Sequence, residues 1–178
     1  MQLLSKMESL SRQTIYDLQS SLSAELAEDY FGSATTFVAA EIDQIARKAK
    51  ILSVGDSRAY LIDAQDKWQQ ITQDHSILSE LLADFPDKKE EDFATIYGGV
   101  SSCLVADYSE FQDKIFYQEI EIQQGESLLL CSDGLTDGLS EEMREKIWKQ
   151  YDNDKSRLTV CRKLITKQKF YDDLSVVI

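Results

Sequence analysis

Three aspartates, Asp56, Asp133 and Asp172, have the residue type and placement to do chemistry together. Each stands at the end of an apolar run. Asp56 follows Lys50 to Val54, Asp133 follows Ser127 to Ser132, and Asp172 precedes Leu174 to Ile178. Gly55 before Asp56 and Gly134 after Asp133 allow tight backbone turns, which bring main-chain carbonyls and water close to the carboxylates. Carboxylates gathered within a few ångströms repel one another strongly, so a cluster of them either protonates or binds a cation. An all-oxygen site selects magnesium, manganese or calcium. Taken singly, each aspartate also has a plain structural reading, because Asp-Gly pairs mark turns and strand-end aspartates cap or meet solvent.

The elements that would position these residues are legible from periodicity. Leu3, Leu4, Met7, Leu10, Ile15 and Leu18 recur at helical spacing, and the pattern continues from Leu22 to Tyr30, ahead of Gly32. Strand-like blocks follow at Thr35 to Ala40, Lys50 to Val54, Ala59 to Ile62 and Trp68 to Ile71, and they read as an antiparallel meander. Ile77 to Ala83 reads as a helix that leads into an acidic loop, Asp87 to Asp92. Two more strands, Ile115 to Ile122 and Ser127 to Ser132, flank Gln123-Gln124-Gly125, a sequence suited to a hairpin turn. Ser140 is placed to cap a helix running to about Tyr151, with Glu141 and Glu142 in its first turn. A further helix from Ser156 to about Gln168 precedes a final buried strand, Leu174 to Ile178. If that strand runs opposite to the others, all three carboxylates emerge at one sheet edge. Strands flanked by helices indicate an α+β fold.

The bulk numbers narrow the partners. The chain has 178 residues, 43% of them apolar and 29% charged, which suits one globular domain over residues 1–178. Its net charge of −13 repels phosphate backbones and anionic lipid, so no nucleic acid or membrane partner is expected. No apolar run approaches the roughly 20 residues of a membrane span, and the Met1 segment lacks the pattern of a signal peptide. Cys103, Cys131 and Cys161 lie far apart with no CxxC pair, which argues against zinc or a disulfide framework and for a cytoplasmic setting.

Five blocks in order carry a family resemblance: Gly32-Ser33-Ala34-Thr35-Thr36, Val54-Gly55-Asp56-Ser57-Arg58-Ala59-Tyr60-Leu61, Thr72-Gln73-Asp74-His75-Ser76, Leu128 through Asp137, and Tyr171 through Ile178. Together they resemble the type 2C, or PPM-type, metal-dependent serine/threonine protein phosphatases, over residues 32–178. The resemblance implies two antiparallel β-sheets packed as a sandwich with flanking helices. It implies Mn2+ or Mg2+ as cofactor and a phosphorylated protein as substrate, hydrolysed by metal-activated water. By matching position, Asp133 and Asp172 are similar to the aspartates that hold the core metal ions. Asp56 resembles the one that, with Asp133, holds a further metal in bacterial members. His75, the one histidine of the chain, falls in a block that is a structural turn in the family.

The family also places an aspartate-glycine pair, and usually a phosphate-binding arginine, in strands upstream of its first helices, and nothing before Gly32 matches them. The resemblance therefore implies a fold missing the family's N-terminal strands, weakened metal binding, and self-association or a partner chain covering the open strands. A noncatalytic module that binds a kinase or another signalling protein stays open beside the phosphatase reading.

Overall fold

The computed structural model describes residues 9–93, 99–109, 111 and 114–178. Five helices, α1 (Arg12–Leu26), α2 (Ile77–Asp84), α3 (Asp133–Gly138), α4 (Glu141–Gln150) and α5 (Asp154–Ile165), accompany nine strands among these residues. The strands are β1 (Ala34–Thr35), β2 (Phe37–Asp43), β3 (Lys48–Val54), β4 (Arg58–Ile62), β5 (Trp68–Gln70), β6 (Leu104–Val105), β7 (Phe116–Glu121), β8 (Ser127–Cys131) and β9 (Val176–Val177). The fold is α+β with antiparallel sheets. Two compact units divide it: residues 1–56 with 73–120, and residues 57–72 with 121–178.

The first unit holds the sheet β2-β3-β7 and the pair β1-β6. Ile15 of α1 packs with Leu52 and Val54 of β3 and with Leu104, all buried. The helical pattern of the N-terminal region is realised as α1, while its first residues, 1–8, lie outside the described residues. Buried Gln19 of α1 bonds both main-chain groups of Val105: its Nε2 donates to the carbonyl at 2.7 Å and its Oε1 accepts the N–H at 3.0 Å. That amide serves β6 as a substitute strand, which is why a two-residue strand with no sequence signature holds its place.

The second unit holds the sheet β5-β4-β8-β9, with α3, α4 and α5. Its core joins Tyr60, Trp68, Leu129, Leu135, Trp148, Cys161 and Ile165. Ser140 caps α4 by accepting the Met143 N–H, as its position in the sequence suggests. Asn153 caps α5, which begins at Asp154, two residues before the expected Ser156, and ends at Ile165, about three short of the expected Gln168. Burial pushes the Cys161 thiol up to about 11. Cys161 is therefore expected to react with iodoacetamide far more slowly than the partly exposed Cys103, and mass spectrometry of a labelling time course checks this. Equal labelling rates would contradict the packing of this core.

Three sequence expectations need correction. The strands from β2 to β5 are not one meander: β2 pairs with β3 and β4 with β5, but β3 and β4 belong to different sheets. The break falls at Gly55, whose φ of 101° turns the chain from one sheet to the next. Likewise Gln123 to Glu126 do form a turn, with the Glu126 N–H donating to the Gln123 carbonyl at 3.2 Å, but β7 and β8 enter different sheets and make no hairpin. The last strand is two residues long and not buried, with Val177 66% exposed.

His75 explains how the Gly55 turn is held. The ring is buried, its Nδ1 accepts the Gly55 N–H at 3.1 Å, and the His75 N–H donates to the Gly55 carbonyl at 2.9 Å. With Nδ1 accepting, the neutral ring carries its proton on Nε2. A Cβ added to Gly55 would reach within 2.5 Å of the Thr36 Cβ. Gly55→Ala is thus expected to destabilise the first unit by more than the ~1–2 kcal/mol of a left-handed backbone alone. Hydrogen exchange at the β3 amides measures it, and unchanged protection would contradict the tightness of the turn.

Candidate metal centre

Asp133 and Asp172 are brought to one end of the second unit by the pairing of β8 with β9. These strands run antiparallel with Cys131 opposite Val176, so Asp133 leaves the sheet where the segment carrying Asp172 enters it. This is the direction, relative to Ser127–Cys131, that the sequence reading required of the last strand. Side chains extend the pairing beyond the strands. The Ser132 N–H donates to the Ser175 carbonyl at 3.0 Å, the Ser132 hydroxyl donates to the Asp173 carbonyl at 3.1 Å, and it accepts the Ser175 N–H at 3.1 Å. Ser132 also precedes α3, whose first residue is Asp133. A carboxylate there is favoured by the N–H groups of the first helical turn.

Gly134 sets the spacing between the two segments. A Cβ at this position would collide with the Asp173 carbonyl oxygen and stand 3.3 Å from that of Asp172. Only the missing side chain lets α3 begin against residues 172–173. Both carboxylates are also oriented locally: Asp133 Oδ1 accepts the Gly134 N–H at 2.9 Å, and Asp172 Oδ1 accepts the Asp173 N–H at 2.7 Å. Asp172 borders a cavity of about 440 Å3 with Arg162, Thr166, Tyr171 and Asp173.

Asp56 follows Gly55 in the turn that ends β3, and it is the last residue of the 1–56 segment of the first unit. Among the described residues, no group of three or more His, Cys, Asp or Glu side chains is gathered to hold a metal ion. The oxygen donors at Asp133 and Asp172 suit a hard divalent cation in kind, and the neighbouring carbonyls of residues 172 and 173 are of the same class. Sequence reasoning missed Ser132 and Ser175. Their signal was slight: a small hydroxyl residue directly before Asp133 and another within the last apolar run.

A family model described as protein phosphatase 2C matches residues 2–159. The chain belongs to the protein phosphatase 2C family. Relatives within reach include serine/threonine phosphatase stp of Listeria innocua, 35% identical over 163 residues that cover 88% of this chain and 60% of the relative. The Listeria monocytogenes phosphatase of the same name is 33% identical over 97% of this chain and 68% of its own length. The chain thus spans about three fifths to two thirds of these two phosphatases.

Solved structures share the fold. The Mycobacterium tuberculosis serine/threonine phosphatase PstP/Ppp superposes with a TM-score of 0.75 at 22% identity, covering 99% of this chain and 71% of its own. A Streptococcus agalactiae serine/threonine phosphatase gives 0.77 at 20% identity, covering 92% and 66%. The catalytic domain of PstP in complex with two manganese ions gives 0.73 at 20% identity, covering 98% and 75%. Across the described residues of this protein phosphatase 2C member, no helix is long and apolar enough to cross a membrane.

Proposed function

We propose that this chain acts in a metal-dependent phosphoserine/phosphothreonine protein phosphatase, with Asp133 and Asp172 holding Mn2+ or Mg2+. One observation carries the reading: in a member of the protein phosphatase 2C family, the β8–β9 pairing and the Ser132 bonds hold two carboxylates at one sheet end. Asp56 joins them as a further ligand on chain spacing. It precedes Arg58 by two residues, Arg58 pairs with Cys131 in the β4–β8 register, and Cys131 precedes Asp133 by two.

Asp133 and Asp172 would hold the divalent cation, which would supply Lewis-acid activation of water and charge neutralisation for phosphoryl transfer. The chain's own residues orient it. The Gly134 and Asp173 amides fix one oxygen of each carboxylate, which leaves the other directed by the same rotamer. The Ser132 hydroxyl ties the two ligand-bearing segments, and outer bonds of this kind are worth about 10–100-fold in metal affinity. A phosphorylated protein is the substrate, and the cytoplasm, where the three cysteines stay reduced, is the setting.

Hydrolysis of a phosphothreonine peptide with manganese, alongside calorimetric Mn2+ titration, tests this. The expected result is manganese-dependent turnover that Asp133→Ala and Asp172→Ala each lower by about 100-fold or more. A second reading, a noncatalytic module that binds a kinase or signalling protein, is favoured by the lack of a three-residue acidic group among the described residues. Turnover and Mn2+ heat no greater than those of the folded variants would establish that reading and overturn the first.

A further inference from the structure

Arg144 stands apart from every ion pair described in its unit. It lies on α4, only 7% exposed, and neither its Nε nor its Nη1 has a hydrogen-bond partner. Its guanidinium carbon sits 5.2 Å from the centroid of the Tyr60 ring and 5.3 Å from that of Trp68. The same Trp68 ring carries a third buried orphan, Nε1, which also lacks an acceptor. Three donors without acceptors therefore share one cluster of the core.

A buried cation needs a counter-charge or acceptors, because losing water without replacement costs several kcal/mol. The surrounding groups do not provide one. The ring faces of Tyr60 and Trp68 attract the guanidinium but accept no conventional hydrogen bond from its orphaned edges. Cys161 is close enough to feel Arg144, yet burial dominates and holds the thiol protonated at neutral pH, so it offers no thiolate. Carboxylates of the same unit are paired with other cations: Glu145, next to Arg144 in the chain, with Lys67 and Lys149, and Asp66 and Asp154 with Arg157.

We propose that the Arg144–Trp68 cluster binds a small anion, of the size and charge of chloride, as a structural ligand of the second unit. The indole N–H and the guanidinium are donors set among apolar walls, and because the cost of stripping water from an ion rises steeply with its charge, such a place favours a compact monovalent anion over sulfate or a phosphate ester. The site is independent of the proposed metal centre, since none of its residues lies among Asp133, Asp172 or the segment around them.

The test uses thermal unfolding of the full chain in chloride, bromide or sulfate salts at matched ionic strength. The expected result is a saturable rise in Tm of a few degrees with chloride and bromide, against only the non-saturating rise that sulfate gives by exclusion from the surface, because a ligand that binds only the folded state stabilises it by mass action. Arg144→Met should abolish the saturable rise. Trp68→Phe, which keeps an aromatic ring but removes the indole N–H along with part of the ring system, should weaken bromide affinity several-fold, so the proposal stays testable if Arg144→Met fails to fold. A crystal grown in bromide should show its anomalous signal beside Arg144. An ordered water alone at that place, or an identical Tm rise in wild type and both variants, would overturn the proposal.

Discussion

Trp148→Ala should lower the unfolding free energy of the second unit by about 3–5 kcal/mol, the cost of emptying a buried aromatic site. Trp148 is 2% exposed and among the largest fully enclosed side chains. Its ring meets Trp68 edge to face at 4.6 Å and 82°, the geometry that the ring quadrupoles favour. Arg157 closes the other side, its guanidinium carbon 5.4 Å from the ring centroid and its Nη2 bonded to the Trp148 carbonyl at 3.1 Å. Removing the ring leaves a hole walled by a second indole and an arginine, neither free to collapse inward. Urea unfolding followed by circular dichroism measures the change, with the midpoint falling and the slope held. A loss under about 1 kcal/mol would mean that the site refills, contrary to the packing described.

Gly134→Ala should damage the proposed metal centre more than it damages the fold. The added Cβ collides with main-chain carbonyl atoms of Asp173, not with the yielding tip of a side chain, so the 172–174 segment must move away from α3. Overpacking of this kind costs roughly 1–3 kcal/mol. The displacement also strains the Ser132–Ser175 bonds and pulls Asp172 from Asp133, so Mn2+ affinity should fall about 10–100-fold or more. Calorimetric titration of Mn2+ into the variant, beside its melting curve, separates the two effects. Undiminished Mn2+ binding in a folded Gly134→Ala protein would remove Asp172 from the site.

The sequence disclosed the strand ends that carry the proposed ligands better than it disclosed the connections between strands. Asp133 and Asp172 were legible because a carboxylate at a strand end beside a glycine is a local pattern, and β8 and β9 do run antiparallel as convergence requires. The exchange of sheets at Gly55 was not legible, because strand periodicity reports which face is buried and is silent about which partner is bonded. The turn at Gln123 to Glu126 was read correctly, yet its strands part into different sheets, since a turn constrains its own residues and not the destination of the strands it joins. Helix α3 escaped notice because Asp133–Gly138 has two glycines and two aspartates, a composition read as loop. Its stability comes from tertiary packing: Leu135 is buried, and Gly138 lies tight against Ile165 of α5. Strand β6 depended on a single buried glutamine in a distant helix, which no local pattern reveals.

The bonds between Ser132 and the 173–175 segment span 41 and 43 positions of chain, and α3, α4 and α5 lie wholly inside that loop. Closing so long a loop is entropically unfavourable until the helices within it have packed. During refolding, Trp148 should therefore become enclosed before the terminal residues dock, and Mn2+ added at the start should leave the early fluorescence phase unaltered. The carboxylate of Asp172 would be the last of the proposed ligands to arrive, so the rate at which the chain becomes competent for metal is set by its C-terminal residues.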